Sequence, residues 1–150
     1  MKLGFTGTSD LMQIAQRQAL HRFILDLPDL TQFHHGDCIS ADQAAHDFVE
    51  FCTLSHIVIH PPNNPRARAN CYKYSNQKYR ITVLKPKPYL ERNHDIVDAT
   101  EELLACPRAR FEQQRSGTWA TIRYARKRGK NITLILPDGS IRREYAKLLA

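Results

Sequence analysis

Three short segments concentrate side chains and backbone that could bind an anion. Arg115-Ser116-Gly117-Thr118-Trp119 sets a fixed positive charge, two hydroxyls and a glycine at an expected helix start. The first amides of a helix lack intrahelical partners and the helix dipole favours negative charge there, so the combination suits a phosphate. An ordinary capped helix start accounts for Ser116 and Gly117 but gives Arg115 no role. Gly4-Phe5-Thr6-Gly7-Thr8-Ser9 places small residues before another helix. There Gly7, Thr8 and Ser9 would let backbone amides approach a phosphate, although a tight turn explains the glycine equally well. His35-Gly36-Asp37-Cys38-Ile39-Ser40-Ala41-Asp42 brackets a third helix start with two carboxylates. Asp37 and Asp42 could accept hydrogen bonds from ribose hydroxyls. They could equally make a turn and favour the first helical turn electrostatically.

The elements that must position these segments follow from hydrophobic periodicity. Lys2–Gly7 reads as a strand. Thr8, Ser9 and Asp10 offer caps for a helix over Leu11–Leu27, whose stripe is Leu11, Ala15, Ala19, Phe23 and Leu27, widened by Met12, Leu20 and Ile24. Thr31–Gly36 is a second strand. Ser40 and Gln43 form a capping-box pattern for a helix to about Thr53 that would bury Ala44, Ala45, Phe48, Val49 and Cys52. His56–His60 has the near-continuous apolar run of a strand buried on both faces. Residues 61–80, with Pro61, Pro62, Pro65, Arg66, Arg68 and Arg80, read as a long mobile or ligand-facing loop. Ile81–Leu84 is a strand, Tyr89 to about Ala99 a helix, Glu102–Cys106 a strand, Gly117–Arg128 a helix capped by Ser116 with Gly129 at C′, and Asn131–Leu136 a strand. Pro137-Asp138-Gly139 is a turn, and Ile141–Ala150 is expected as a short tail helix.

Alternating strands and helices predict an α/β, Rossmann-like domain spanning residues 1–150, with a mostly parallel sheet flanked by helices on both faces. All three junctions, and the helix start Tyr89-Leu90-Glu91-Arg92-Asn93, then fall at the carboxyl edge of the sheet, where ligands bind in such folds.

The 150-residue chain is long enough for a real core, and no apolar run is long enough to span a bilayer. With no leader expected before the first strand, and with Cys38, Cys52, Cys71 and Cys106 scattered, a reduced cytoplasmic protein is expected. The formal charge of +7 is uneven: residues 1–60 carry 3 Lys/Arg against 7 Asp/Glu, and residues 61–150 carry 19 against 8. A basic half suggests an anionic partner, a phosphorylated ligand or nucleic acid. No metal is expected, because adjacent His34 and His35 point to opposite faces of a strand, and no cofactor is assigned. Cys38 could be a reactive thiol but reads better as a small buried residue.

In order, Gly4-x-Thr6-Gly7, His35-Gly36-Asp37-Cys38 to Asp42, Arg92-Asn93 with Ile96-Val97, and Arg115-Ser116-Gly117-Thr118-Trp119 resemble the SLOG superfamily. This Rossmann-like group includes the Lonely Guy phosphoribohydrolases and part of DNA-processing protein A. The run from His60-Pro61-Pro62 through Arg66-Ala67 to Thr121-Ile122 most resembles the small stand-alone members from bacteria and their phages. The resemblance covers residues 2–139 and implies a homo-oligomeric nucleotide binder. The phosphoribohydrolases carry a glutamate where this chain has Thr121, so their catalytic acid is missing, while their ligand-side arginine matches Arg92.

Three functions follow as expectations. The first is a binder (sensor, carrier or sequestering protein). Gly7, Thr8, Arg115, Ser116, Gly117 and Thr118 would meet phosphate, and Asp37 and Asp42 ribose. Arg92 would supply a second charge, and Tyr89 or Trp119 would stack on a base. The second is an N-glycosidic hydrolase with a relocated acid, for which Glu91 is the candidate. The third is single-stranded nucleic-acid binding through the basic loops.

Overall fold

The structure, a computed structural model, describes residues 1–146. Its strands are β1 (Lys2–Gly7), β2 (Gln32–His35), β3 (His56–Ile59), β4 (Ile81–Val83), β5 (Glu102–Cys106), β6 (Asn131–Ile135) and β7 (Ile141–Glu144). Its helices are α1 (Ile14–Leu25), α2 (Ala41–Cys52), a single turn α3 (Cys71–Tyr74), α4 (Tyr89–Asp98) and α5 (Gly117–Lys127). The sheet runs β4-β3-β2-β1-β5-β6-β7, parallel except for the last pair. The fold is therefore α/β and Rossmann-like, as the alternation of elements predicts.

Strand alternation sorts the core into two layers. Leu3, Phe5, Phe33, Ile57, Ile59 and Leu104 pack on the α1–α2 side. Leu103, Ala105, Ile132 and Leu134 pack with Trp119, Ile122 and Ala125 of α5. The chain leaves β4 at one edge and re-enters beside β1 as β5. Connections from β1 and β5 then diverge, and the gap between them is the crevice typical of such sheets.

Several local expectations are corrected. α1 starts at Ile14, with Gln13 at the N-cap and no side-chain cap, so Thr8, Ser9 and Asp10 do not cap it. Leu11 and Ala15 are exposed, because Gln16 instead turns inward to donate to the carbonyls of Pro107 (2.9 Å) and Ile135 (2.8 Å). The Ser40–Gln43 capping box does not form: Ser40 has φ 71° and its hydroxyl donates to the Asp10 carbonyl. Cys52 is exposed. The tail is not helical over Ile141–Glu144. That segment pairs antiparallel with β6 through a hairpin in which Gly139 takes φ 86°. Pairing satisfies the backbone groups that β6 would otherwise present as an open edge, and this overrides local helix propensity. The remainder of the expected tail helix, residues 147–150, lies outside the described residues.

Both layers also hold buried histidines. His34 Nδ1 meets His60 Nε2 at 2.9 Å on the α4–α5 side, and burial pushes both down to about 4. On the α1–α2 side His35 Nε2 meets His46 Nδ1 at 2.9 Å, with His35 held well below, and His46 below, the ordinary value of 6.5. Groups neutral when folded but free to protonate when unfolded make the unfolded chain bind more protons below pH 6.5. Stability must therefore fall as pH drops from about 6.5 to 4, by up to ~1.4 kcal/mol per pH unit for each histidine. Asp42, raised to about 6, and Asp47, also raised by burial, act oppositely over part of that window, but they are two carboxyls against four histidines. Urea unfolding between pH 7 and 4 is expected to show this decline, and a shallower one in His34→Gln/His60→Gln. A flat wild-type profile would refute the assignment.

Candidate functional site

A cleft of about 570 Å³ opens at the diverging connections, walled by the β1–α1 turn, the β2–α2 turn, the start of α4 and the β5–α5 loop. Of the residues expected there, Gly7, Thr8, Ser9, Gly36, Asp42, Tyr89, Arg92, Asn93, Arg115, Ser116, Gly117 and Thr118 all line it. Sequence separation places them up to 111 residues apart; the parallel sheet alone brings them together.

The α5 wall is built as its sequence suggests. Ser116 is the N-cap and its Oγ accepts from the Trp119 amide at 3.2 Å. Gly117 and Thr118 precede the intrahelical ladder, so their amides have no carbonyl within α5 to meet. Arg115 is exposed beside them and forms no ion pair among the described residues. The β1 wall depends on close contact. A Cβ on Gly7 would lie 2.4 Å from the Ala41 Cβ, so only glycine lets β1 approach the start of α2.

Arg92 forms the floor. It is 4% exposed, and its guanidinium donates to the carbonyls of Gly36 and His60 (3.2 Å to the latter) and to Asn93 Oδ1 (2.8 Å). A Cβ on Gly36 would fall 2.3 Å from this guanidinium, which explains the glycine by packing. The Arg92 side chain also lies under the Tyr89 ring, 5.2 Å from its centroid. Asp42 Oδ2 accepts from the amides of Gly36 (3.2 Å) and Cys38 (3.1 Å), while Oδ1 is buried without a partner. Burial raises this carboxyl to about 6, against the opposing pull of Arg92 and the two amides.

Two expected ligand residues are elsewhere. Asp37 is 1% exposed and both its oxygens are used: Oδ2 accepts from Arg68 Nε (3.0 Å) and Oδ1 from the Cys71 amide (2.9 Å). It fastens residues 66–71 to the β2–α2 turn. Trp119 is 1% exposed in the core, so of the two candidate aromatics only Tyr89 borders the cleft. Glu91 is also displaced. Its carboxylate is exposed and faces Lys87 at 3.8 Å, one turn back on the outside of α4. Thr121 is buried, its hydroxyl donating to the Gly117 carbonyl (2.9 Å).

Sequence reasoning missed Asp10 and Arg108, an ion pair at 2.8 Å across the mouth. Their signal was position: each lies just beyond one of the two strands that flank the switch point. Cys38 lines the cleft as a thiol, since burial raises it to about 11.

A second group, His35, His46 and Cys71, brings three potential metal ligands together in the core. Its hydrogen bonds run in one direction. The Asp37 amide donates to His35 Nδ1 (3.0 Å), which puts the His35 proton on Nε2, facing His46 Nδ1. His46 therefore carries its proton on Nε2, toward Ser75 Oγ (2.7 Å) and Glu50 Oε2 (3.2 Å). A metal on His35 Nε2 would require that ring's proton to move to Nδ1 and break its contact with the Asp37 amide, so the group fits a closed chain of neutral rings better than a metal centre.

No protein-family model, curated protein or solved structure matches the chain.

Because Arg92 satisfies two buried carbonyls, Arg92→Met is expected to lower the unfolding free energy by roughly 2–4 kcal/mol, on the scale of about 1–3 per orphaned acceptor. Arg92→Lys should recover only part, since one ammonium cannot span both carbonyls. Urea denaturation reads both variants; a loss below about 0.5 kcal/mol, the range of ordinary surface changes, would remove Arg92 from this role.

Proposed function

We propose that the cleft binds a nucleotide or a phosphate-bearing nucleotide derivative, with phosphate at the start of α5 and the base toward Tyr89. The observation that carries the reading is convergence. Glycine-lined turns after β1 and β2, the first turn of α5 and Arg115, which forms no ion pair among the described residues, all border one cleft at the switch point. The resemblance to SLOG proteins supports the same reading. Free first-turn amides, a helix dipole and a guanidinium together favour an anion with several acceptor oxygens. Asp42, tied to the amides of Gly36 and Cys38, orders the β2–α2 turn that borders the cleft.

We read the protein as a binder rather than a hydrolase. Breaking an N-glycosidic bond builds positive charge on the sugar, which a carboxylate must face. Thr121 is buried and neutral, Glu91 is turned to Lys87, Asp10 is paired with Arg108, and Asp42 is buried with one oxygen held by the amides of Gly36 and Cys38. A homo-oligomer in the cytoplasm completes the proposal, and light scattering at tens of micromolar is expected to give a mass of at least two chains; a monomer would contradict that part.

Calorimetric titration with a panel of nucleoside mono-, di- and triphosphates is expected to find a ligand that Arg115→Ala binds about 1–3 kcal/mol more weakly. Mass spectrometry of small molecules released from heat-denatured protein identifies what is carried. If the best ligand binds Arg115→Ala unchanged, the phosphate does not sit at α5.

A further inference from the structure

From Phe51 to Leu90 the chain contains no Asp or Glu, yet it carries seven Lys/Arg and four tyrosines. A stretch of forty residues without a carboxylate cannot neutralise itself, so its charge is either spent on other segments or left open. Part is spent. Arg80 is buried against the carbonyls of Ser55 (2.6 Å) and Glu50, Arg68 pairs with Asp37, and Lys87 pairs with Asp95 at 2.6 Å. Arg66, Lys73, Lys78 and Lys85 are exposed and form no ion pair among the described residues.

Three of the four tyrosines are equally unspent, Tyr89 alone being taken up over Arg92. Tyr74 and Tyr79 are 71% and 81% exposed, and Tyr72 is also at the surface. Such exposure leaves ring faces open to water although burying them would be favourable. Cations and rings interleave: Lys73 Nζ lies 5.5 Å from the Tyr74 centroid and Lys78 Nζ 5.4 Å from that of Tyr72. A groove of about 420 Å³, lined in part by Arg68, Tyr72 and Lys73, runs beside Val83 of the edge strand β4. The segment Ala67–Arg68 separates this groove from the main cleft, one residue lining each.

We propose that this face, formed by residues 66–85 around β4, binds single-stranded nucleic acid. Ammonium groups meet phosphates along the strand, and the tyrosine rings stack unpaired bases, which any base can satisfy. The groove has no long helix or ribbon to enter a duplex groove, so duplex is disfavoured. A lipid surface is the less suitable anion, because no amphipathic helix lies here to insert between headgroups. This face adjoins the cleft proposed for nucleotides at Ala67 but does not rest on that reading.

Fluorescence anisotropy with labelled twenty-residue oligothymidylate and oligouridylate tests it, using the full chain. Wild type is expected to bind, with log K falling against log salt by about 0.7 for each phosphate contacted. Tyr74→Ala/Tyr79→Ala, at exposed positions that leave the fold intact by circular dichroism, is expected to weaken binding at least fivefold, the low end for losing a stacked base. Lys73→Gln/Lys78→Gln is expected to reduce the salt slope. Arg115→Ala is expected to leave oligonucleotide binding unchanged. Failure of nucleotide binding in the cleft would therefore not touch this result. The proposal is overturned if no salt-sensitive binding occurs, if duplex of the same length binds as tightly, if vesicles of anionic lipid bind and oligonucleotides do not, or if Arg115→Ala removes binding while the tyrosine variant keeps it.

Discussion

A guanidinium buried beneath the carboxyl ends of parallel strands must find acceptors there, and Arg92 finds them in the carbonyls of Gly36 and His60. These are the residues that follow β2 and β3, where the ladder ends and carbonyls lose their partners. One side chain from α4 therefore closes two strand ends and anchors the helix over them. The arrangement dictates neighbouring residues. Gly36 must lack a Cβ, Asn93 orients the guanidinium through its Oδ1, and Tyr89 lies over it as a lid. The result is a positive charge under the cleft that forms no ion pair among the described residues.

The same constraint sets the electrostatics of the cleft. Arg92 below and Arg115 at the rim are both cationic, while the two carboxyls that border the cleft are compromised as anions. Asp10 is paired with Arg108, and burial raises Asp42 to about 6, so it loses its charge at a higher pH than an ordinary carboxyl. Positive potential in a concave, partly desolvated space draws anions more strongly than the same charges would on an open surface.

Residues 61–80 join this scaffold through backbone rather than through a core of their own. The Ile39 amide donates to the Ala67 carbonyl (2.9 Å) and the Ala69 amide to the Asp37 carbonyl (2.8 Å), beside the paired carboxylate of Asp37. Asp37, Ser40, Ala67 and Asn70 all take positive φ, so the unfavourable backbone of the described chain outside glycine is gathered at this one contact. Strain of this kind persists only where surroundings over-determine it, and it clusters where a chain must be aimed. Here it aims Ala67 at the cleft and Arg68 at the neighbouring groove.

The sequence by itself determined the alternation of strands and helices, hence a parallel sheet, and hence that the turns after β1, β2 and β5 share an edge. Periodicity and glycine placement are local signals, and they suffice for that. Ser116 as a cap and Gly129 as a C′ residue were legible for the same reason. What only the tertiary structure decided is which side chains at that edge are free. Asp37 and Asp42 look alike in sequence, but one is consumed by Arg68 and Cys71 while the other borders the cleft. Trp119 and Glu91 sit in motifs that reach the edge, yet packing of α5 against the sheet takes one into the core and the neighbouring Lys87 draws the other outward. The tail became β7 because β6 offered an unpaired edge, a fact about a neighbour in space. Orientation and competition for partners are set by packing between distant segments, and no local pattern of residues carries that information.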